Sequence, residues 1–111
     1  MTPEAKVKDK VKKLCKRIGA YYAMPIGTGY GNAGVPDFLI CYRGLFIGIE
    51  CKAGKGKTTA LQEKNLADIE LSGGAALVIN EGNLPHLEEY LHTYVTIGEK
   101  LWKKTDPQAD A

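Results

Sequence analysis

Two carboxylates and one amine could carry chemistry in the middle of the chain: Asp37, Glu50 and Lys52. They lie on two apolar runs that are separated only by Arg43-Gly44, which predicts a β-hairpin with a tight turn. Carboxylates brought together repel each other unless a cation lies between them or one of them is protonated. With an amine beside them, they suggest a divalent-metal site for phosphodiester chemistry.

The hairpin register decides whether these groups meet. If Tyr42 pairs with Leu45, Asp37 and Glu50 lie directly opposite each other, because Asp37 is five residues before Tyr42 and Glu50 is five residues after Leu45. Opposed Cβ atoms in a sheet are about 4.5–5.5 Å apart. Because strand side chains alternate between faces, Lys52 is expected on the same face as Glu50.

A helix is predicted before the hairpin, from about Pro3 to Ile18. Thr2 can cap it, and Glu4 suits its positive N-terminal end. Its apolar stripe at helical spacing comprises Val7, Val11, Leu14 and Ile18. Glu4 continues this stripe, so it either lies at the surface or points into a site. A second line, Lys6, Lys10, Lys13 and Arg17, is either a solvated face or a contact to phosphates.

A strand is predicted over Ala20–Ile26, followed by a glycine-rich loop. Residues 29–34 match G-x-G-x-x-G, but Val35-Pro36 leads into another strand rather than the helix that a dinucleotide site requires. A loop beside a ligand is the better interpretation. Because both faces of the hairpin are apolar, we expect helices on both sides of the sheet.

The second half of the chain continues with alternating elements. A basic loop precedes a helix predicted over Thr59–Leu71, whose start matches a capping box of Thr59 and Gln62. Gln62 also shares the inward face of this helix. A buried strand over Ala75–Asn80 and a helix from Asn83 to about His92 follow, while residues 93–102 fit either a strand or a short helix. The sequence thus predicts one domain over residues 1–102 and a flexible tail over 103–111.

Composition narrows the class of protein. The chain has 111 residues, enough for one domain, and its net charge of +2 does not by itself indicate nucleic-acid binding. Seven of its fifteen Lys and Arg residues fall within the first seventeen positions. Three cysteines without a Cys-x-x-Cys pattern are typical of reduced, intracellular proteins. With no signal peptide or long apolar run, we expect a cytoplasmic protein of a bacterial or phage-infected cell.

The order of these groups resembles a known nuclease superfamily. Glu4 on a first helix, Pro36-Asp37, Glu50-Cys51-Lys52 and Gln62 on a second helix together resemble the PD-(D/E)xK superfamily. In detail they are similar to its VRR-nuclease (VRR-NUC) branch and to Holliday junction resolvases. The resemblance covers about residues 4 to 80. It implies an α/β, restriction-endonuclease-like fold with a central mixed sheet flanked by helices.

The resemblance also implies roles for individual residues. Asp37, Glu50 and the Cys51 carbonyl would bind Mg²⁺, or Mn²⁺ as a substitute, and Glu4 could bind through water. Lys52 would orient the attacking water or neutralise the phosphate, and Gln62 would orient Lys52 or a phosphate. The residues expected to contact DNA are Lys55, Lys57, Lys64 and the loop residues Gly29, Tyr30, Gly31 and Asn32.

Three functions remain open on the sequence. The first is a Mg²⁺-dependent endonuclease that cuts branched DNA such as Holliday junctions, as in DNA repair; symmetric cleavage then implies a homodimer. The second is a non-catalytic DNA-binding or assembly module, since the small size leaves no separate specificity domain. The third is a nuclease subunit that needs a partner protein for targeting.

Overall fold

A computed structural model describes residues 1–26 and 34–105, with only the backbone described for 101–105. The elements are α1 (Pro3–Ile18), β1 (Tyr21–Ala23), β2 (Phe38–Tyr42), β3 (Leu45–Cys51), α2 (Ala60–Leu71), β4 (Ala75–Ile79), a 3₁₀ turn (Leu84–His86) and α3 (Leu87–Thr105). The strands form one sheet in the order β1-β2-β3-β4. β1, β2 and β3 pair antiparallel, whereas β4 lies parallel to β3. This mixed sheet flanked by helices confirms the predicted α/β class.

The β2–β3 hairpin has the predicted register. Tyr42 pairs with Leu45 and Phe38 with Ile49. Arg43 and Gly44 both have positive φ, 51° and 86°, as a two-residue turn that matches the twist of the strands requires. The two-residue turn therefore fixes which residues pair across the hairpin, and the alternation of side chains along each strand fixes which face they occupy.

Helix α1 begins and ends at local signals. The Thr2 hydroxyl accepts a hydrogen bond from Ala5 N at 3.1 Å, and Gly19 at φ 75° closes the C-terminus. The buried stripe is Val7, Val11 and Cys15. The predicted members Leu14 and Ile18 are half-buried and pack at its margin.

The two faces of the sheet are covered unequally. One face carries fully buried side chains that pack with α1 and α3 in a single core; they are Phe38, Ile40, Ile47 and Ile49. The other face packs against α2, where Gly48 makes room for Ile69: a Cβ on Gly48 would lie 2.5 Å from Ile69 Cδ1. Near β1 this second face is open, since Tyr21 is 75% exposed and Phe46 46%. The expected cover on both sides is thus complete on one face only.

The β3–α2–β4 unit brings a parallel strand back beside β3, since parallel pairing needs a crossover connection. Helix α2 begins with the predicted capping box: Gln62 N donates to the Thr59 hydroxyl, and Thr59 N donates to Gln62 Oε1. β4 ends at Ile79, one residue before the predicted end. β1 is shorter than the predicted strand and covers only Tyr21–Ala23.

The last element settles the open choice for residues 93–102. They are helical, because α3 runs without interruption from Leu87 to Thr105, with Leu87, Leu91 and Val95 in the core. Its last three residues extend into the segment predicted as a tail, and 106–111 lie outside the described residues. In the part of the chain that is described, no helix is both long and apolar enough to cross a bilayer.

Candidate active site

The hairpin brings Asp37 and Glu50 together at one end of the sheet. Glu50 lies in β3, and Asp37 directly precedes β2, one step beyond the Phe38–Ile49 pair. Asp37 Oδ2 accepts a hydrogen bond from Cys51 N at 2.8 Å. The carboxylate of Asp37 is therefore fixed to the backbone next to Glu50.

Glu50 is an acidic side chain in an unfavourable environment. It is only 3% exposed, and its Oε2 is buried without a hydrogen-bond partner. Burial, together with a hydrogen bond to Asp37 and the negative charge of Asp37, raises the pKa of Glu50 to about 8. An orphaned carboxylate oxygen beside a second carboxylate is a favourable place for a hard cation.

Lys52 directly follows β3, two residues after Glu50. Its backbone N–H donates to Ile79 O at 2.9 Å, which continues the pairing with β4. The positive charge of Lys52 lowers the pKa of Glu50, against the larger effects that raise it. Lys52 is therefore close enough to Glu50 to act electrostatically on the same site.

Lys8 is a member of the site that sequence reasoning missed. Its Nζ lies 3.3 Å from Asp37 Oδ1 and 3.6 Å from Glu4 Oε2. Partial burial disfavours the charged form, but attraction to Asp37 and then Glu4 outweighs it and raises the pKa of Lys8. The i,i+4 spacing of Glu4 and Lys8 was a visible signal, whereas the contact with Asp37 depends on how α1 packs against the sheet.

Glu4 lies at the margin of the site and is held there by Lys8. Within residues 1–26 and 34–105, no three His, Cys, Asp or Glu side chains converge into a group suited to a metal. The donor set suited to a divalent ion is thus the Asp37–Glu50 pair, to which the Cys51 carbonyl and water would add oxygens. Such a set suits Mg²⁺ or Mn²⁺, which prefer oxygen ligands and keep several waters. Metal binding by all four predicted ligands, Asp37, Glu50, Cys51 and Glu4, stays a prediction.

The start of α2 lies against the segment that leads to Asp37. Gly34 has φ 80°, and a Cβ on it would lie 2.6 Å from the Leu61 carbonyl carbon. Only a glycine allows this approach, so Gly34 fixes the segment beside Gln62. The Gln62 side chain meanwhile caps α2 through its Oε1, and its catalytic role stays a prediction.

The basic residues predicted to contact DNA lie around this end of the sheet or close to it in sequence. Lys55 and Lys57 are exposed on the loop after β3. Gly54 N in that loop donates to both carboxylate oxygens of Glu81, at 3.1 and 3.0 Å. Lys64 is exposed on α2 and pairs with Asp68 at 2.9 Å. The predicted contacts Gly29, Tyr30, Gly31 and Asn32 lie outside the described residues.

Solved structures share this architecture. One described as "VRR_NUC domain" superposes with a TM-score of 0.68 and 22% identity, covering 80% of this chain and 97% of the other. A second, "VRR_NUC domain protein", gives a TM-score of 0.66 and 18% identity over 86% and 90% of the two chains. The protein has the VRR-NUC fold. This confirms the fold that the sequence resemblance implied.

Unlike the comparison of structures, two comparisons with known families and proteins found no match. No family model matches the chain, and no curated protein matches it either. At 22% and 18% identity the common property is the fold, so the roles of individual residues have to be argued from this chain's own geometry.

Proposed function

We propose that the protein is a Mg²⁺- or Mn²⁺-dependent endonuclease that hydrolyses phosphodiester bonds in DNA. The observation that carries the proposal is the Asp37–Glu50 pair, with Glu50 Oε2 buried and without a partner. Its position on a VRR-NUC fold, at an end of the sheet flanked by lysines, supports the same function. The fold alone would not, because one fold hosts many functions.

Four residues of the site would have a direct role in this reaction. Asp37 and Glu50 would hold the divalent ion, with the Cys51 carbonyl as a further ligand. When bound, such an ion polarises a phosphate and makes a water more acidic. Lys52 places a positive charge on the same face, where it would hold the scissile phosphate by charge-assisted hydrogen bonds or orient the water.

The proposed substrate is branched DNA, such as a Holliday junction. Exposed Lys55 and Lys57 beside the site would contact phosphates, which gives affinity that depends on salt and not on base sequence. Recognition would then rest on the shape of the DNA. Cutting a four-way junction symmetrically needs two sites, so the functional form would be a homodimer.

The test replaces each carboxylate by its near-isosteric amide, Asp37→Asn and Glu50→Gln. Labelled four-way junctions, flaps, forks and linear duplexes are incubated with Mg²⁺, Mn²⁺ or chelator. We expect cleavage to need the metal and to fall more than about 100-fold in either variant, beyond the 10–100-fold typical of residues that only support a ligand. Glu70→Gln, which changes an exposed carboxylate on α2, is the matched control and should cleave at the parental rate.

Two other outcomes would redirect the assignment. Junction binding that persists in chelator, with no cleavage under any metal, would support the non-catalytic binding or assembly module. Weak nicking by the purified protein that a partner protein stimulates would support the subunit hypothesis. Parental cleavage by both amide variants would reject the site itself.

A further inference from the structure

The two oxygens of Asp37 are engaged by different parts of the chain. Oδ2 accepts the Cys51 N–H at 2.8 Å, while Oδ1 lies 3.3 Å from Lys8 Nζ. The backbone contact comes from β3 itself, whereas the ammonium reaches in from α1. Oδ1 is the oxygen that the Cys51 N–H leaves free for another ligand, and the Lys8 ammonium already lies beside it.

The Lys8 side chain can move away from Asp37. Its side chain is 33% exposed and has a long flexible stem. Its second contact, at 3.6 Å, is to Glu4, one helical turn back on α1. Because Glu4 is more exposed than Asp37, the ammonium can shift from Asp37 toward Glu4 and solvent without losing every anionic partner.

We propose that Lys8 is a built-in counter-ion of the carboxylate pair, which competes with the divalent cation for Asp37 and so sets the metal affinity of the site. This inference rests on the proposed function, since it concerns the same site. Lys8 acts through Asp37 and is a positioning residue, not a catalytic one.

The sign of the effect follows from electrostatics. An ammonium near Asp37 repels an incoming divalent ion and partly neutralises the carboxylate that would bind it. Without Lys8, Asp37 and Glu50 would repel each other more strongly, which also favours uptake of a cation. Removing the charge should therefore tighten metal binding, whereas a residue that merely supports Asp37 would weaken binding when removed.

The test measures Mn²⁺ binding to the full chain by isothermal titration calorimetry and by the electron paramagnetic resonance signal of free Mn²⁺. Lys8→Met and Lys8→Gln remove the charge, and Lys8→Arg keeps it. Lys16→Met removes a charge from the same helix about 12 Å farther along its axis and is the control. Thermal unfolding checks that each variant is folded.

We expect Lys8→Met and Lys8→Gln to lower the Kd for Mn²⁺ about three- to fivefold, the upper part of the range typical of exposed charge pairs. Lys8→Arg and Lys16→Met should stay within about twofold of the parent. An unchanged or higher Kd in both neutral variants would overturn the inference. If Asp37→Asn binds Mn²⁺ as tightly as the parent, the metal site itself fails; if only the Lys8 variants behave like the parent, the site stands and the counter-ion role falls.

Discussion

The Asp37 carboxylate and the Cys51 N–H are joined by a 2.8 Å hydrogen bond between the residue before β2 and the last residue of β3. The bond fixes Asp37 beside Glu50, although two carboxylates would otherwise avoid each other. As a consequence, ionisation of Glu50 is unfavourable: its pKa is raised, mainly by burial. The fold therefore holds the two carboxylates together, and a bound cation or proton would relieve the repulsion between them.

Stability in chelator should fall as pH rises because of Glu50. A carboxyl whose pKa is higher in the folded state, here about 8 against 4.5, contributes its stability fully below pH 4.5 and loses it as pH rises toward 8. We expect Glu50→Gln to be more stable than the parent at pH 8.5 by about 1–3 kcal/mol and to show a flatter profile between pH 5 and 8. Urea unfolding at several pH values measures this; parallel profiles for the two proteins would contradict it.

Divalent ions should stabilise the parent through the carboxylate pair. An ion that binds only the folded protein at 100 times its Kd adds about 2.7 kcal/mol, so Mn²⁺ should raise the Tm at pH 8. The rise should shrink toward pH 6, because Glu50 then holds its proton more fully. Differential scanning fluorimetry compares the parent with Asp37→Asn and Glu50→Gln, in which most of the rise should vanish. The control Glu70→Gln should keep it.

Gly34→Ala should be costly for two separate reasons. Its φ of 80° strains any L side chain, and the new Cβ would meet the Leu61 backbone at 2.6 Å. Gly73→Ala is the matched control, since Gly73 also has positive φ, 98°, but open space around a Cβ. We expect a loss of about 1 kcal/mol for Gly73→Ala and about 2–4 kcal/mol for Gly34→Ala, measured by urea unfolding. Equal losses would mean that contact with α2 does not matter.

Glu81 should control the order of the basic loop after β3. Its carboxylate accepts the Gly54 N–H, and the Asn80–Asn83 turn that carries it is closed by side-chain hydrogen bonds. We expect Glu81→Ala to speed amide exchange at Gly54 about tenfold, because the Gly54 N–H loses the acceptor that protects it from exchange. Hydrogen exchange followed by NMR tests this, with exposed Glu70→Ala as the control that should leave Gly54 unchanged.

Local signals were enough to predict the hairpin, the caps and the pairing of Asp37 with Glu50. The two-residue connection Arg43-Gly44 sets one register for the hairpin, and that register places Asp37 opposite Glu50. The same kind of short-range signal predicted the capping box at Thr59 and Gln62. The structure confirms the cap that Gln62 makes at the start of α2, whereas its role at the site stays a prediction.

The sequence by itself determined the order of the elements and the meeting of two carboxylates on one hairpin, because turns, caps and alternation act between residues close in the chain. The tertiary structure alone decided that Glu50 is buried with an orphaned oxygen, that Lys8 reaches Asp37 from α1, and that the sheet face near β1 stays open. These properties depend on how helices distant in sequence pack on the sheet, and no local pattern specifies that packing.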